Sequence, residues 1–184
     1  MTGRNEKDSI ATIMRRWVET VVIDLNLCPF AGRELREERV RFEVTPANSE
    51  AELLACLQAE LERLETHPEI ETTLLIHPEA LQDFADYNQF LDSADDLLQA
   101  MELTGTYQIA SFHPDYQFAD TAANDVENFT NRAPYPMLHL LREASVERAI
   151  ESHPDIEQIP QRNIRLMKEL GVERLQQLLR DCFS

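Results

Sequence analysis

Glycine is scarce, with only four in 184 residues. A glycine-rich phosphate loop or a dinucleotide fingerprint needs several glycines in a short span, so that backbone can approach phosphate, and neither pattern is present. Gly-x-Ser-x-Gly and His-Glu-x-x-His are also missing. Kinase, P-loop NTPase, Rossmann oxidoreductase, serine hydrolase and zincin readings therefore lose their usual support. The cysteines, Cys28, Cys56 and Cys182, are odd in number and far apart. They form neither a disulfide framework nor a Cys-x-x-Cys zinc site. Basic residues number 17 against 34 acidic ones, a net charge of −17. That field repels phosphate backbones and anionic lipid, which predicts no nucleic-acid and no membrane partner. No apolar run is long enough to span a bilayer. The opening "MTGRNEKDSI" lacks the apolar core of a secretory signal. A cytoplasmic protein, bacterial in style, is the expectation.

What remains is ordinary globular composition, 43% hydrophobic and 28% charged, in a length that suits one domain over residues 1–184. Ile10, Ile13, Met14, Trp17, Val18, Val21, Val22 and Leu25 recur at helical spacing and predict a helix from Asp8 to Leu27, ended by Pro29. "RVRFEVT" (39–45) alternates like a strand. Ser49 and Glu52 form a capping box for a helix with a leucine stripe at 53, 54, 57, 61 and 64. "IETTLLIH" (70–77) predicts a second strand. A third helix is expected to begin at Pro78–Glu79 and to close at Gly105. "TYQIASFH" (106–113) predicts a third strand. After a polar loop, helices are expected from Pro136 to Ser152 and from Pro160 to Arg180, the last interrupted near Gly171. The order β, α, β, α, β predicts an α/β fold with a small, mostly parallel sheet covered by helices and a helical C-terminus.

Four of the five histidines precede proline. Proline holds the preceding residue extended, so each His-Pro marks the end of an element. His67 and His153 follow helices, where an imidazole can satisfy the last carbonyls. His77 and His113 finish strands. In a parallel sheet, Thr45, His77 and His113 would share the carboxyl edge, where open α/β sheets bind ligands. A helix starting at Pro78 would place its positive end near His77 and hold that imidazole neutral near pH 7. A neutral imidazole can accept a proton or bind a metal.

Asp115, two residues beyond His113, is a candidate partner, either orienting the ring or sharing a divalent metal with His113 and His77. The same His-Pro-Asp pattern also serves as a plain turn. Asn131 and Arg132 precede a proline-fixed helix start, a place that favours anions, and are candidates to bind a carboxylate or phosphate of a small substrate. His139 is read as an ordinary helical histidine. Cys28 stands at the carboxyl end of a helix, which does not stabilise thiolate, so a structural thiol is expected.

"NLCPFA", "SFHPDYQFAD", "NRAPYPMLHLLRE" and "IPQRNI", in this order over nearly the whole chain, resemble an uncharacterised bacterial family, domain-of-unknown-function family 1415. The resemblance implies a compact bacterial protein and transfers no catalytic residue. Two functional readings follow from the residues themselves. One is an enzyme or enzyme-like pocket for a small polar or anionic molecule at the carboxyl edge, with His113, Asp115 and His77 as its reactive groups. The other is a non-catalytic interaction or dimerisation module, in which the histidines only terminate strands.

Overall fold

The computed structural model describes residues 2–152 and 158–184, with side chains from Asn5 onward; His153 lies outside the described residues. Helix α1 (Thr2–Trp17) runs directly into a π-helical segment (Val18–Ile23). The short α2 (Ala31–Arg36) follows, then β1 (Val40–Val44), α3 (Glu50–Thr66), β2 (Thr72–Ile76) and α4 (Phe84–Ala100). Strand β3 (Tyr107–Phe112), a 3₁₀ turn (Val126–Thr130), β4 (Met137–Arg142), α5 (Glu143–Ser152) and α6 (Ile159–Asp181) complete the chain.

The local signals account for most of these elements. Ser49 caps α3 by accepting a hydrogen bond from the Glu52 amide at 3.4 Å, while the Glu52 carboxylate reaches back to the Asn48 amide at 3.0 Å. His67 ends α3, its Nδ1–H donating to the Arg63 carbonyl at 3.1 Å. Gly171 breaks the helical geometry of α6 at φ 73° and ψ 162°, a conformation open to glycine because it lacks Cβ.

The sheet corrects the expectation. Its strand order is β1-β2-β4-β3, and only β1 and β2 pair in parallel. Strand β4 lies antiparallel between β2 and β3, so the sheet is mixed rather than mostly parallel. The cause is "MLHLLR", read above as the start of a helix. An almost continuous apolar run has no telling period and suits a central strand covered on both faces. Leu138 and Leu140 are buried with α3 and α4, whereas Met137 packs in the core beneath α1. Pro134 and Pro136 set an extended approach to the strand, and the helix begins only at Glu143.

Because β2 and β3 each oppose β4, they run in the same direction as each other and as β1. Their carboxyl ends therefore share one rim despite the inserted strand. Two apolar layers flank the sheet. One joins α3 and α4 to Leu75, Leu138 and Leu140. The other joins α1 and α6 to Leu74, Ile76 and Met137.

Candidate functional site

The residues after β2 and β3 are His77 and His113, and both are fully buried at 0% exposure. The His77 amide donates to the Pro136 carbonyl at 3.0 Å, and the His113 amide donates to the Asn131 carbonyl at 3.2 Å. Each histidine thus extends its strand's hydrogen bonding to the segment that leads into β4. Tyr87 from α4 contacts both imidazoles. Its ring centroid lies 5.8 Å from His77 and 5.1 Å from His113. The phenol donates to the Met137 carbonyl at 2.8 Å and accepts from the Phe112 amide at 2.9 Å. Phe84, one turn earlier, packs 5.4 Å from the His113 ring and 5.2 Å from Tyr116.

Hydrogen bonding decides the tautomers, because a carbonyl can only accept and an amide N–H can only donate. His77 Nδ1 lies 2.9 Å from the Ala80 carbonyl and so carries the proton. The lone pair is left on Nε2, which is buried without a partner among the described residues. His113 is the reverse. Its Nδ1 accepts from the Asp115 amide at 3.0 Å, and its Nε2–H donates to the Leu81 carbonyl at 3.2 Å. Burial lowers the His77 pKa to about 4, with His113 nearby acting in the same direction. Burial also lowers the pKa of His113, opposed by its carbonyl contact and by the Asp115 charge. Neutrality at His77 thus comes from desolvation. Residues 78–83 form a turn, and α4 starts at Phe84 under an Asp83 cap, so the helix end expected at Pro78 does not supply it.

Both imidazole N–H groups hold adjacent carbonyls of this turn, at Ala80 and Leu81. Leu81 sits in the left-handed region at φ 53°, a conformation that costs a branched residue on the order of 1 kcal/mol or more. Thr45 shares the rim, but its hydroxyl accepts from the Ala47 amide at 3.1 Å and lies 3.0 Å from Cys56 Sγ.

The remaining candidates serve the loop that follows β3. Asp115 meets His113 through its backbone amide, and its residue is exposed. Asn131 donates from Nδ2 to the Ser111 carbonyl at 3.0 Å and accepts from Thr130 at 3.1 Å. Arg132 donates to the Tyr116 and Ala123 carbonyls at 3.2 and 2.7 Å, with its guanidinium 4.5 Å from the Phe129 ring centre. The structure therefore brings His77 and His113 together and keeps Asn131 and Arg132 as braces of the adjoining loop. Among the described residues, no group of three or more His, Cys, Asp or Glu side chains could hold a metal ion, so His113, His77 and Asp115 do not assemble as a ligand set.

Tyr87 and Phe84 were not legible as site residues. In sequence they are two more members of an amphipathic apolar stripe. The usable signal was their spacing of three at the start of the helix that follows a strand-terminal His-Pro.

Fold and rim define a mixed α/β protein whose sheet edge holds two neutral imidazoles around one phenol. A family model described as "Protein of unknown function (DUF1415)" matches residues 9–177, and the chain belongs to that family. No curated protein matches it, and no solved structure does. Among the described residues, no helix is long and apolar enough to cross a membrane.

Proposed function

We propose that the carboxyl rim of β2 and β3 is an enzyme-like site for a small polar molecule, with His77 as its reactive base. The observation that carries this reading is His77 Nε2: a neutral, buried nitrogen with a fixed lone pair and no partner among the described residues. A buried acceptor without a hydrogen bond costs about 1–3 kcal/mol, and such groups recur where a site must meet a ligand. His113 supplies the opposite tautomer two ring contacts away. The turn 78–83 covers both rings, and its displacement would admit a ligand to Nε2. In this reading Asn131 and Arg132 shape the neighbouring loop, and an anionic group on the ligand would meet Arg132 only after it exchanges a carbonyl.

The test is ligand profiling of the purified protein against a panel of small polar metabolites, followed by ¹⁵N resonances of the histidine rings. Binding that moves the His77 Nε2 resonance and is lost in His77→Phe supports the site. A panel that leaves this resonance unmoved, or binding that survives His77→Phe, overturns it.

A non-catalytic interaction module is the second reading. It draws on Phe183 and Ile150, 51% and 48% exposed on an acidic protein. Sedimentation of Phe183→Ser beside the parent chain tests it: a dimer that dissociates in the variant supports it, and a monomeric parent removes the homodimer form.

A further inference from the structure

The opposite face of the sheet carries a separate set of polar atoms, beneath α1. Cross-strand register places Phe42, Leu74, His139 and Ala110 in one row and Val44, Ile76, Met137 and Phe112 in the next. Burial varies along both rows. Val44, Ile76 and Met137 are closed at 6%, 0% and 0% exposure. In the first row Leu74 is closed as well, at 3%, and Phe42 is half-buried on β1; on β4 and β3, His139 and Ala110 are half-buried beside Phe112, itself half-buried at the end of the second row. The core therefore covers Val44, Leu74, Ile76 and Met137 and leaves a partly exposed patch on β3 and β4, where the smallest side chain, Ala110, adjoins His139 and Phe112.

Two polar side chains lie beside this patch, each in ring contact with Phe112. Thr72 gives its hydroxyl proton to the Leu140 carbonyl at 2.6 Å, so at 2.7 Å from His139 Nε2 it must accept. His139 is therefore protonated on Nε2 and bears its lone pair on Nδ1. Burial lowers its pKa to about 4, which keeps it neutral. Trp17, 2% exposed, has an indole N–H with no hydrogen-bond partner among the described residues. Both rings flank Phe112, Trp17 at 5.6 Å and His139 at 6.2 Å between centroids. Trp17 also stands where α1 passes into the π-helical segment, an irregularity that recurs at functional positions.

We infer that this patch is a second ligand site, which takes a small, flat, uncharged molecule bearing a hydrogen-bond donor and acceptor, such as a carboxamide or a nitrogen heterocycle. The ligand's ring lies over Ala110 against Phe112. Its donor meets His139 Nδ1, and its acceptor meets the Trp17 N–H. An apolar floor with one fixed donor and one fixed acceptor selects for neutral planar groups, because a charged one would lose its hydration without an opposing charge.

Trp17 is the only tryptophan in the chain, so its emission and its single indole N–H resonance report on the site directly. Benzamide and benzimidazole, titrated into the millimolar range, are the probes. A saturable change in emission, a shift of the indole N–H resonance, and at least tenfold weaker binding in both His139→Phe and Ala110→Leu are expected. The second variant covers the patch without touching a hydrogen bond. The inference is overturned if neither probe gives a saturable change, if either folded variant binds as the parent does, or if the indole N–H resonates upfield over the Phe112 face and stays fixed. The His77 resonance stays unmoved by these probes if the two sites are separate.

Discussion

His77 and His113 contact the same tyrosine ring but carry their protons on different nitrogens, Nδ1 in one and Nε2 in the other. Each N–H is spent on a neighbouring carbonyl of a single turn. One residue of the pair therefore presents a base, and the other a nitrogen already engaged by an amide. Apolar surroundings keep both uncharged.

Acid should unfold the protein through these rings. The free imidazole takes a proton near 6.5, whereas His77 in the folded chain resists it down to about 4. Between those values the unfolded state binds the extra proton, so stability is constant above pH 6.5 and falls as pH drops toward 4. The gap is worth on the order of 3 kcal/mol for a buried ring, and His139, whose pKa burial also lowers to about 4, acts in the same direction. Urea midpoints measured from pH 7.5 to 4.5 check this. His77→Phe should flatten the dependence by close to one proton.

Tyr87→Phe should cost about 1–3 kcal/mol, because it removes the hydroxyl that satisfies the Phe112 amide and the Met137 carbonyl while leaving the ring packing in place. Faster hydrogen exchange at the Phe112 amide would locate the damage. An unchanged denaturation midpoint would count against the bridging role.

Glu102→Gly should stabilise the protein by about 1 kcal/mol. Glu102 is exposed, at φ 59°, in the position after the α4 cap where glycine is favoured. The surrounding hydrogen bonds already form the Schellman pattern, from the Leu103 amide to the Leu98 carbonyl at 2.9 Å and from the Glu102 amide to the Gln99 carbonyl at 3.1 Å. Thermal unfolding of the variant beside its parent provides the measurement.

Arg142→Lys should destabilise by roughly 2 kcal/mol without altering the rim. The guanidinium spreads its donors over the Leu64 and Ile70 carbonyls and the Tyr107 hydroxyl, at 2.6, 3.0 and 2.8 Å, and a lysine cannot reach all three. The rim histidine resonances should stay in place while the melting temperature drops. Movement of both would mean that the two ends of the sheet are coupled.

Alternating and bounded segments were readable from the residues alone. β1, β2 and β3 lie within the predicted stretches, and the capping box at Ser49, the His67 terminus and the Gly171 break occur as expected. The failures share a cause. In "MLHLLR" apolarity carries no period, so local pattern could not separate a central strand from a helix, and His139 was placed on the wrong kind of element. The turn after His77 was misread because Pro78 fits a helix start as well as a turn, and the decision lies with Asp83, which accepts from the Ala85 and Asp86 amides. The shared rim of His77 and His113 was expected from a parallel sheet. It arises instead from two strands with an opposed strand between them, a relation that depends on pairing across the chain and leaves no local trace.

Strand β3 has one neighbour in the sheet, and that neighbour is β4. On a ribosome, the segment ending at Phe112 must therefore wait without a partner until residues 137–142 emerge and slide in beside it. A chain stopped before Met137 would leave β2 with one side unpaired and β3 with no strand beside it, and Tyr87 without the carbonyl its hydroxyl holds. The middle of the sheet is its last part to be made, and the histidine rim exists only once that keystone is seated.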